Sequence, residues 1–372
     1  MPSVADLDLP ELDFADPQLT GERFSAAIDG LLAAGHRLAR SPLATIVLDH
    51  DLGERVLRSR AARFPGREIA ELFGIAEGPL REQVDRNILH LHGEEHRRLR
   101  QLVNPHFTPK AADARRPMLR ALLERLWEPL TETGRCDAIP ALCAPYPAMA
   151  VATVMGAPVE DHARLAHFSH WIQKQFDPPA LLTQRPQIEE AVAEFRAYCD
   201  ALLARKREQP GDDLVTTLLA APDLDDLRRR NLVLNVLVGG VDTTQAQLAH
   251  ALLLAARDGA WPALDDVLRL HPITPFTARV CLEDLEHDDV TFPAGTIVLV
   301  CSWAANRQPG SRILTFGAGP HFCLGVNLAR AELEEALAFL EPRMPRLRLD
   351  AEPAMGTVQG IYGIDALPVA WG

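Results

Sequence analysis

The sequence predicts a mainly α-helical fold with small β-sheets attached to a helical body. Apolar positions recur at three-to-four spacing over most of the chain, whereas strand-like runs are few and short. No internal repeat, low-complexity linker or composition shift divides the 372 residues, so a single domain over 1–372 is expected.

Taken in order, the helical pattern covers 22–35, 52–62, 94–103, 111–131, 160–174, 187–208, 227–257 and 326–341. Strand-like pieces stand at "ATIVLDH" (44–50), at "VTFPAGTIVLV" (290–300) with a P-A-G turn, and around "GIYGIDALPVAW" near the C-terminus. The segment 227–257 carries Gly239 and Gly240 in its middle, where each glycine costs up to about 1 kcal/mol relative to alanine. Thr243 can donate back to the carbonyl of Gly239, four residues earlier, which bends the helix and opens a groove. The competing expectation is a break between two helices with Asp242 as N-cap.

Charge and cysteine usage bound the function. Lys and Arg number 38 against 51 Asp and Glu, for a net charge of -13, which argues against nucleic acid as a partner. The six cysteines form no C-x-x-C pair, so neither a structural zinc site nor a disulfide framework is expected. The start, "MPSVADLDLPELDFADP", has no basic region or apolar run, and no window reaches the length of a membrane span. A cytoplasmic protein without a membrane segment is the expectation.

The most specific string is "FGAGPHFCLG" (316–325). Behind Cys323 runs a helical pattern closed by Pro342, which puts the sulfur at or just before a helix N-terminus, where free N–H groups favour a thiolate. Such a thiolate can serve as nucleophile, redox centre or metal ligand, and the plain alternative is a buried structural cysteine beside a glycine turn. A dinucleotide fingerprint starting at Gly317 requires glycine at 322, where Phe322 stands.

With the following "LGVNLARAEL", this string resembles the haem-binding loop of the cytochrome P-450 family, F-G-x-G-x-H-x-C-x-G, at every fixed position. The resemblance covers most of the chain and is strongest from residue 231 onward. It implies haem b between the helix of 227–257 and the helix of 326–341, with Cys323 as the axial iron ligand and Phe316, Gly317 and Gly325 shaping the loop. "GGVDTT" resembles the oxygen-binding segment, which gives Asp242 and Thr243 the roles of holding dioxygen and relaying protons. In "HGEEHRRLR" His96 and Arg100 match the pair that contacts the haem propionates; Arg279 and His321 match two further propionate positions.

The resemblance is incomplete in places. "ALDDVLRLHP" matches the E-x-x-R helix at Arg269 but has Asp266 in place of the glutamate, which puts that ion pair in question. "AANRQP" (304–309) matches well, yet the meander between Pro309 and Phe316 is short, with Arg312 as a substitute for its arginine. The stretch from Thr244 to Asp266 is short too.

The implied activity is monooxygenation: dioxygen, protons and two electrons give a hydroxylated or epoxidised small, largely apolar organic substrate, with water as the second product. Electrons are expected from a ferredoxin-type donor with its reductase, docking near Arg97, Arg98 and Arg330. Helical spacing from Thr243 nominates Asn235, Val238 and Gly239 for the substrate pocket. Two other readings stay open: a degenerate family member acting as a binding or recruitment module, and a zinc metallopeptidase, since His92, Glu95 and His96 fit H-x-x-E-H.

Overall fold

The structure is a computed structural model that describes residues 1–14, 16–287 and 289–372. The chain opens with α1 (Gly21–Ala33), the antiparallel pair β1 (Leu38–Ser41) and β2 (Ala44–Val47), and α2 (His50–Arg58). β3 (Ala62–Arg63), α3 (Gly66–Leu72), α4 (Pro79–Arg86) and α5 (Gly93–Val103) follow. Asp49 caps α2, its carboxylate accepting from Leu52 N–H at 2.9 Å, so the helix begins two residues before the expected 52.

The helical body runs through α6 (Pro109–Trp127), β4 (Arg135–Asp137), α7 (Pro145–Met155), α8 (His162–Gln173), α9 (Pro178–Thr183), α10 (Arg185–Glu208) and α11 (Leu214–Leu219). Helix α7 had no counterpart in the periodicity. Ten of its eleven residues are buried, and a helix apolar all round shows no 3.6-residue alternation to find.

The segment 227–257 forms two helices, α12 (Asp226–Gly240) and α13 (Asp242–Asp258), interrupted at Val241. The break expected as the alternative is therefore present, but the capping position is Val241, and Asp242 is the first helical residue. Gly259, in the left-handed region at φ 68°, ends α13, and only five residues lead to α14 (Leu264–Leu270).

Strands β5 (Phe276–Cys281), β6 (Leu285–His287), β7 (Val290–Phe292) and β8 (Ile297–Cys301) precede α15 (Ser302–Ala305) and α16 (Val326–Leu340). The chain ends with β9 (Arg348–Leu349), β10 (Ala354–Met355), β11 (Ile364–Ala366) and β12 (Pro368–Ala370). The P-A-G turn lies between β7 and β8, yet these strands do not pair with each other: β7 pairs β6, and β8 pairs β5 and, in parallel, β2. The largest sheet has the order β1-β2-β8-β5-β3, which ties residues near 45 to residues near 298. β12 likewise pairs β4. One apolar cluster gathers α7, α8, α10 and α12; another gathers α6, α7, α13 and α16. The segment leading to α16 carries the cysteine loop along the edge of these clusters.

Candidate active site

The cysteine loop is built from its glycines. Gly317 and Gly319 both sit at φ 68°, a backbone conformation that side chains rarely adopt. Gly319 is also a close approach: an added Cβ would stand 2.7 Å from Arg58 Cα and 2.9 Å from the Leu57 carbonyl of α2. Cys323 N–H donates to the Phe316 carbonyl at 2.8 Å and closes the loop. Gly325 caps α16, and a Cβ there would meet no atom within 4 Å, so it borders open space. Cys323 lies deep in the molecule yet keeps partial accessibility, which places it on internal space and not in packed core.

Burial pushes the Cys323 thiol up from its ordinary range, while the amides of Gly325 and Val326 and the Arg100 charge favour the thiolate. Burial wins, so the helix terminus alone does not hold the sulfur as an anion. A coordinated cation would reverse that balance.

Four basic groups gather at the cysteine loop: His96, Arg100 and Arg279 surround His321, and Arg100 also acts on the Cys323 sulfur. Arg100 on α5 donates to the Phe322 carbonyl at 2.7 Å, and the His96 and His321 rings lie 4.1 Å apart. Arg279 on β5 is 4 % exposed and donates to the neighbouring Ala278 carbonyl at 2.8 Å. Burial holds Arg279 down to about 10 and His96 to about 4. Burial, with His96, Arg279 and Arg100 adding repulsion, takes His321 to about 3. No acid among the described residues offsets these charges, so the cluster is complementary to anionic groups that the chain does not supply.

On the helical side, Thr243 Oγ1 donates to the Gly239 carbonyl at 2.7 Å, across the interruption at Val241. The two glycines act differently. A Cβ on Gly239 would meet nothing within 4 Å, whereas one on Gly240 would stand 2.7 Å from Val151 Cγ2 on α7. Gly239 borders open space and Gly240 lets two helices pack closely. Burial pushes the Asp242 carboxyl up to about 7, opposed by the Ser169 hydroxyl and the Lys174 charge. A carboxyl poised there exchanges protons readily near neutrality.

The remaining candidates fall in several places. Val238 is 5 % exposed inside an apolar cluster. Asn235 is engaged with the chain itself, its Nδ2 donating to Asn87 Oδ1 at 2.8 Å. Of the three pocket nominees, Gly239 alone borders open space. Arg98 pairs with Asp223 at 3.9 Å, Arg330 with Asp265 at 2.8 Å, and Arg97 with Glu94.

Arg269 makes no ion pair with Asp266, which is exposed. It donates instead to the carbonyls of Asn306 and Ser311, each at 3.0 Å. Asn306, fully buried, accepts from Leu314 N–H at 2.6 Å and donates to Thr315 Oγ1 at 2.8 Å. The short meander is thus pinned by Asn306 and Arg269. Arg312 joins no ion pair among the described residues and lies over the Phe322 ring at 6.0 Å. Asn306 was legible only as part of "AANRQP"; nothing in the letters showed which backbone groups it would hold.

The zinc reading is overturned. His92 and Glu95 are exposed, Glu95 pairs with Arg228 at 3.0 Å, and His96 is buried against His321. Among the described residues no group of three or more His, Cys, Asp or Glu could hold a metal ion. No described helix is long and apolar enough to cross a membrane.

Comparison with known proteins identifies the family. The family model described as Cytochrome P450 matches residues 263–310, which include Arg269, Arg279 and Asn306. Luteothin monooxygenase of Streptomyces thioluteus is 32% identical over 402 aligned residues, covering 98% of this chain and 97% of its own. Because those aligned positions outnumber the 372 residues here, the relative has segments that this chain lacks. Cytochrome P450-SU2 of Streptomyces griseolus is 33% identical over 76% of each chain. Among solved structures, CalO2 superposes with a TM-score of 0.89 at 26% identity, over 98% of this chain and 99% of its own. With relatives of this likeness over most of its length, the chain belongs to the cytochrome P450 family and is a haem-iron monooxygenase.

Proposed function

We propose that Cys323 would ligate the iron of haem b, and that His96, Arg100, Arg279 and His321 would hold its two propionates. The observation that carries this is the Arg100 guanidinium, bonded to the Phe322 carbonyl and acting on the Cys323 sulfur, which joins an acid-free cationic cluster to a buried thiol. A porphyrin supplies both missing charges at once: a cation for the sulfur and carboxylates for the arginines. Phe316, Gly317 and Gly325 shape the loop that would hold it.

When bound, the haem iron activates dioxygen so that one oxygen atom enters the substrate and the other leaves as water. The chain's own part is proton handling and exclusion of water. The Thr243 hydroxyl spends its hydrogen on the Gly239 carbonyl and so turns lone pairs toward the groove, ready to accept a bond. Asp242, poised near neutrality, reloads protons from the α8 side, where Ser169 and Lys174 stand.

The substrate is a small, largely apolar organic molecule of the secondary-metabolite kind that relatives' names denote, such as the mycinamicin IV hydroxylase/epoxidase of Micromonospora griseorubida, 31% identical over 78% of this chain. The electron donor is a ferredoxin-type protein with its reductase. We take 1–372 as one domain, since β2 pairs β8 and β4 pairs β12 across most of the chain.

The test is Cys323→Ser. The purified wild type is expected to give a red-shifted, thiolate-type band in the reduced carbon monoxide difference spectrum, and the variant to lose that band and turnover while keeping its far-ultraviolet circular dichroism. A variant that kept the band would overturn the assignment.

A further inference from the structure

Two asparagines 148 positions apart account for a loop that no regular element holds. Residues 88–91 lie between α4 and α5, the first three of them in turn conformation. Every backbone N–H among them ends on Asn87 or Asn235. Ile88 N–H donates to Asn235 Oδ1 at 3.1 Å, and Leu89 N–H to Asn87 Oδ1 at 2.9 Å. His90 and Leu91 N–H donate to the Asn87 carbonyl at 2.9 and 3.2 Å. Asn235 Nδ2 closes the set by donating to Asn87 Oδ1 at 2.8 Å. Asn87 is 1% exposed, so its two accepting oxygens have little access to water as a substitute partner.

Asn235 also has a position. It precedes Gly239 by four residues, and Gly239 precedes Thr243 by four, so the three share one face of the broken helix. Gly239 borders open space on that face. The clamped segment brings Ile88 and Leu91 to the apolar cluster that contains Val238, where Leu324, the residue after Cys323, also packs. All three keep partial accessibility.

We propose that Asn235 is a positioning residue: with Asn87 it latches segment 88–91 onto α12, and so fixes Ile88 and Leu91 as a rigid apolar wall that limits the size of molecule admitted beside Gly239. The latch is a property of the chain alone, whereas what the wall encloses rests on the haem-thiolate reading. Losing the Asn235 amide frees Ile88 N–H and removes one of two bonds on Asn87 Oδ1. The loop then opens without unfolding the helices on either side.

The experiment uses the holoenzyme and the variants Asn235→Ala, Asn87→Ala and Asn87→Asp, with two readouts. In hydrogen exchange, amides 88–91 are expected to exchange about five- to tenfold faster in both alanine variants, as the loss of one or two buried hydrogen bonds implies. Asn87→Asp keeps the accepting oxygen and is expected to exchange as wild type. In spectral titration with imidazole and with the bulkier phenylimidazole, the alanine variants are expected to favour phenylimidazole about fivefold more than wild type does.

Unchanged exchange in both alanine variants overturns the latch. Faster exchange with an unchanged azole ratio overturns the wall. Absence of the thiolate-type carbon monoxide band from the wild type itself defeats the haem-thiolate reading, and the exchange arm still decides the latch.

Discussion

Thr243 Oγ1 donates to the Gly239 carbonyl at 2.7 Å, and between the two the helix is interrupted at Val241. The bond satisfies a carbonyl that the interruption would leave free, and it orients the hydroxyl toward the groove. Thr243→Ala is expected to keep the thiolate-type spectrum but lower coupled turnover by about 10- to 100-fold, as losing the hydroxyl oxygen that accepts a bond in the groove, worth about 1.5–3 kcal/mol, implies. Oxygen consumption measured against product formed checks this: unchanged coupling would remove Thr243 from the proton path.

Asp242 gives a pH dependence. Its folded value is raised to about 7 from 3.8, chiefly by burial. The folded state therefore holds the proton more tightly than the unfolded chain. Unfolding between about pH 4 and 7 releases it, so stability falls as pH rises through that window and stays lower above it. Asp242→Asn removes the penalty, and at pH 8 the variant is expected to be more stable by on the order of 4 kcal/mol, with little difference at pH 4. Urea denaturation at both pH values measures it. The same variant loses the ionisation limb near pH 7 from its turnover profile.

Gly319 and Gly259 share φ 68° but differ in surroundings. An added Cβ at 259 meets nothing within 4 Å, whereas at 319 it meets the backbone of α2 at 2.7 Å. Gly259→Ala is expected to cost about 1 kcal/mol, the backbone term alone. Gly319→Ala adds overpacking against atoms that cannot swing aside, for about 2–4 kcal/mol, and displaces the cysteine loop. Equal costs in thermal unfolding would contradict the close approach.

Arg269 acts through backbone carbonyls and not through Asp266. Arg269→Ala is expected to cost about 3 kcal/mol, since two charge-assisted bonds to Asn306 and Ser311 are lost together, and to weaken haem retention by loosening the meander. Asp266→Asn is expected to change stability by less than about 0.5 kcal/mol, as for an exposed residue without a specific partner. If the two variants proved equally damaging, an ion pair would have to be restored to the account.

What was legible in the letters is what stays within a few residues. The back-bond from Thr243 to Gly239 follows from helix geometry, because residues four apart face each other whatever lies around them. The cysteine loop was readable for a similar reason: its glycines serve a backbone path that runs its course within ten residues, with Gly317 and Gly319 both at positive φ. The amphipathic helices were found because each shows one face to a core and one to water.

Tertiary structure decided the rest. Gly239 and Gly240 are adjacent and identical in kind, yet only the approach of Val151 makes one a packing contact and leaves the other open to the groove. Asn235 looked like a pocket residue until the chain brought Asn87 to it, and Arg269 looked like half of an ion pair until the short meander offered it carbonyls. Helix α7 gave no periodic signal because the fold surrounds it. In each case the partner is tens to more than a hundred residues away, so the choice among possible partners was made by packing, and no local propensity carries that information.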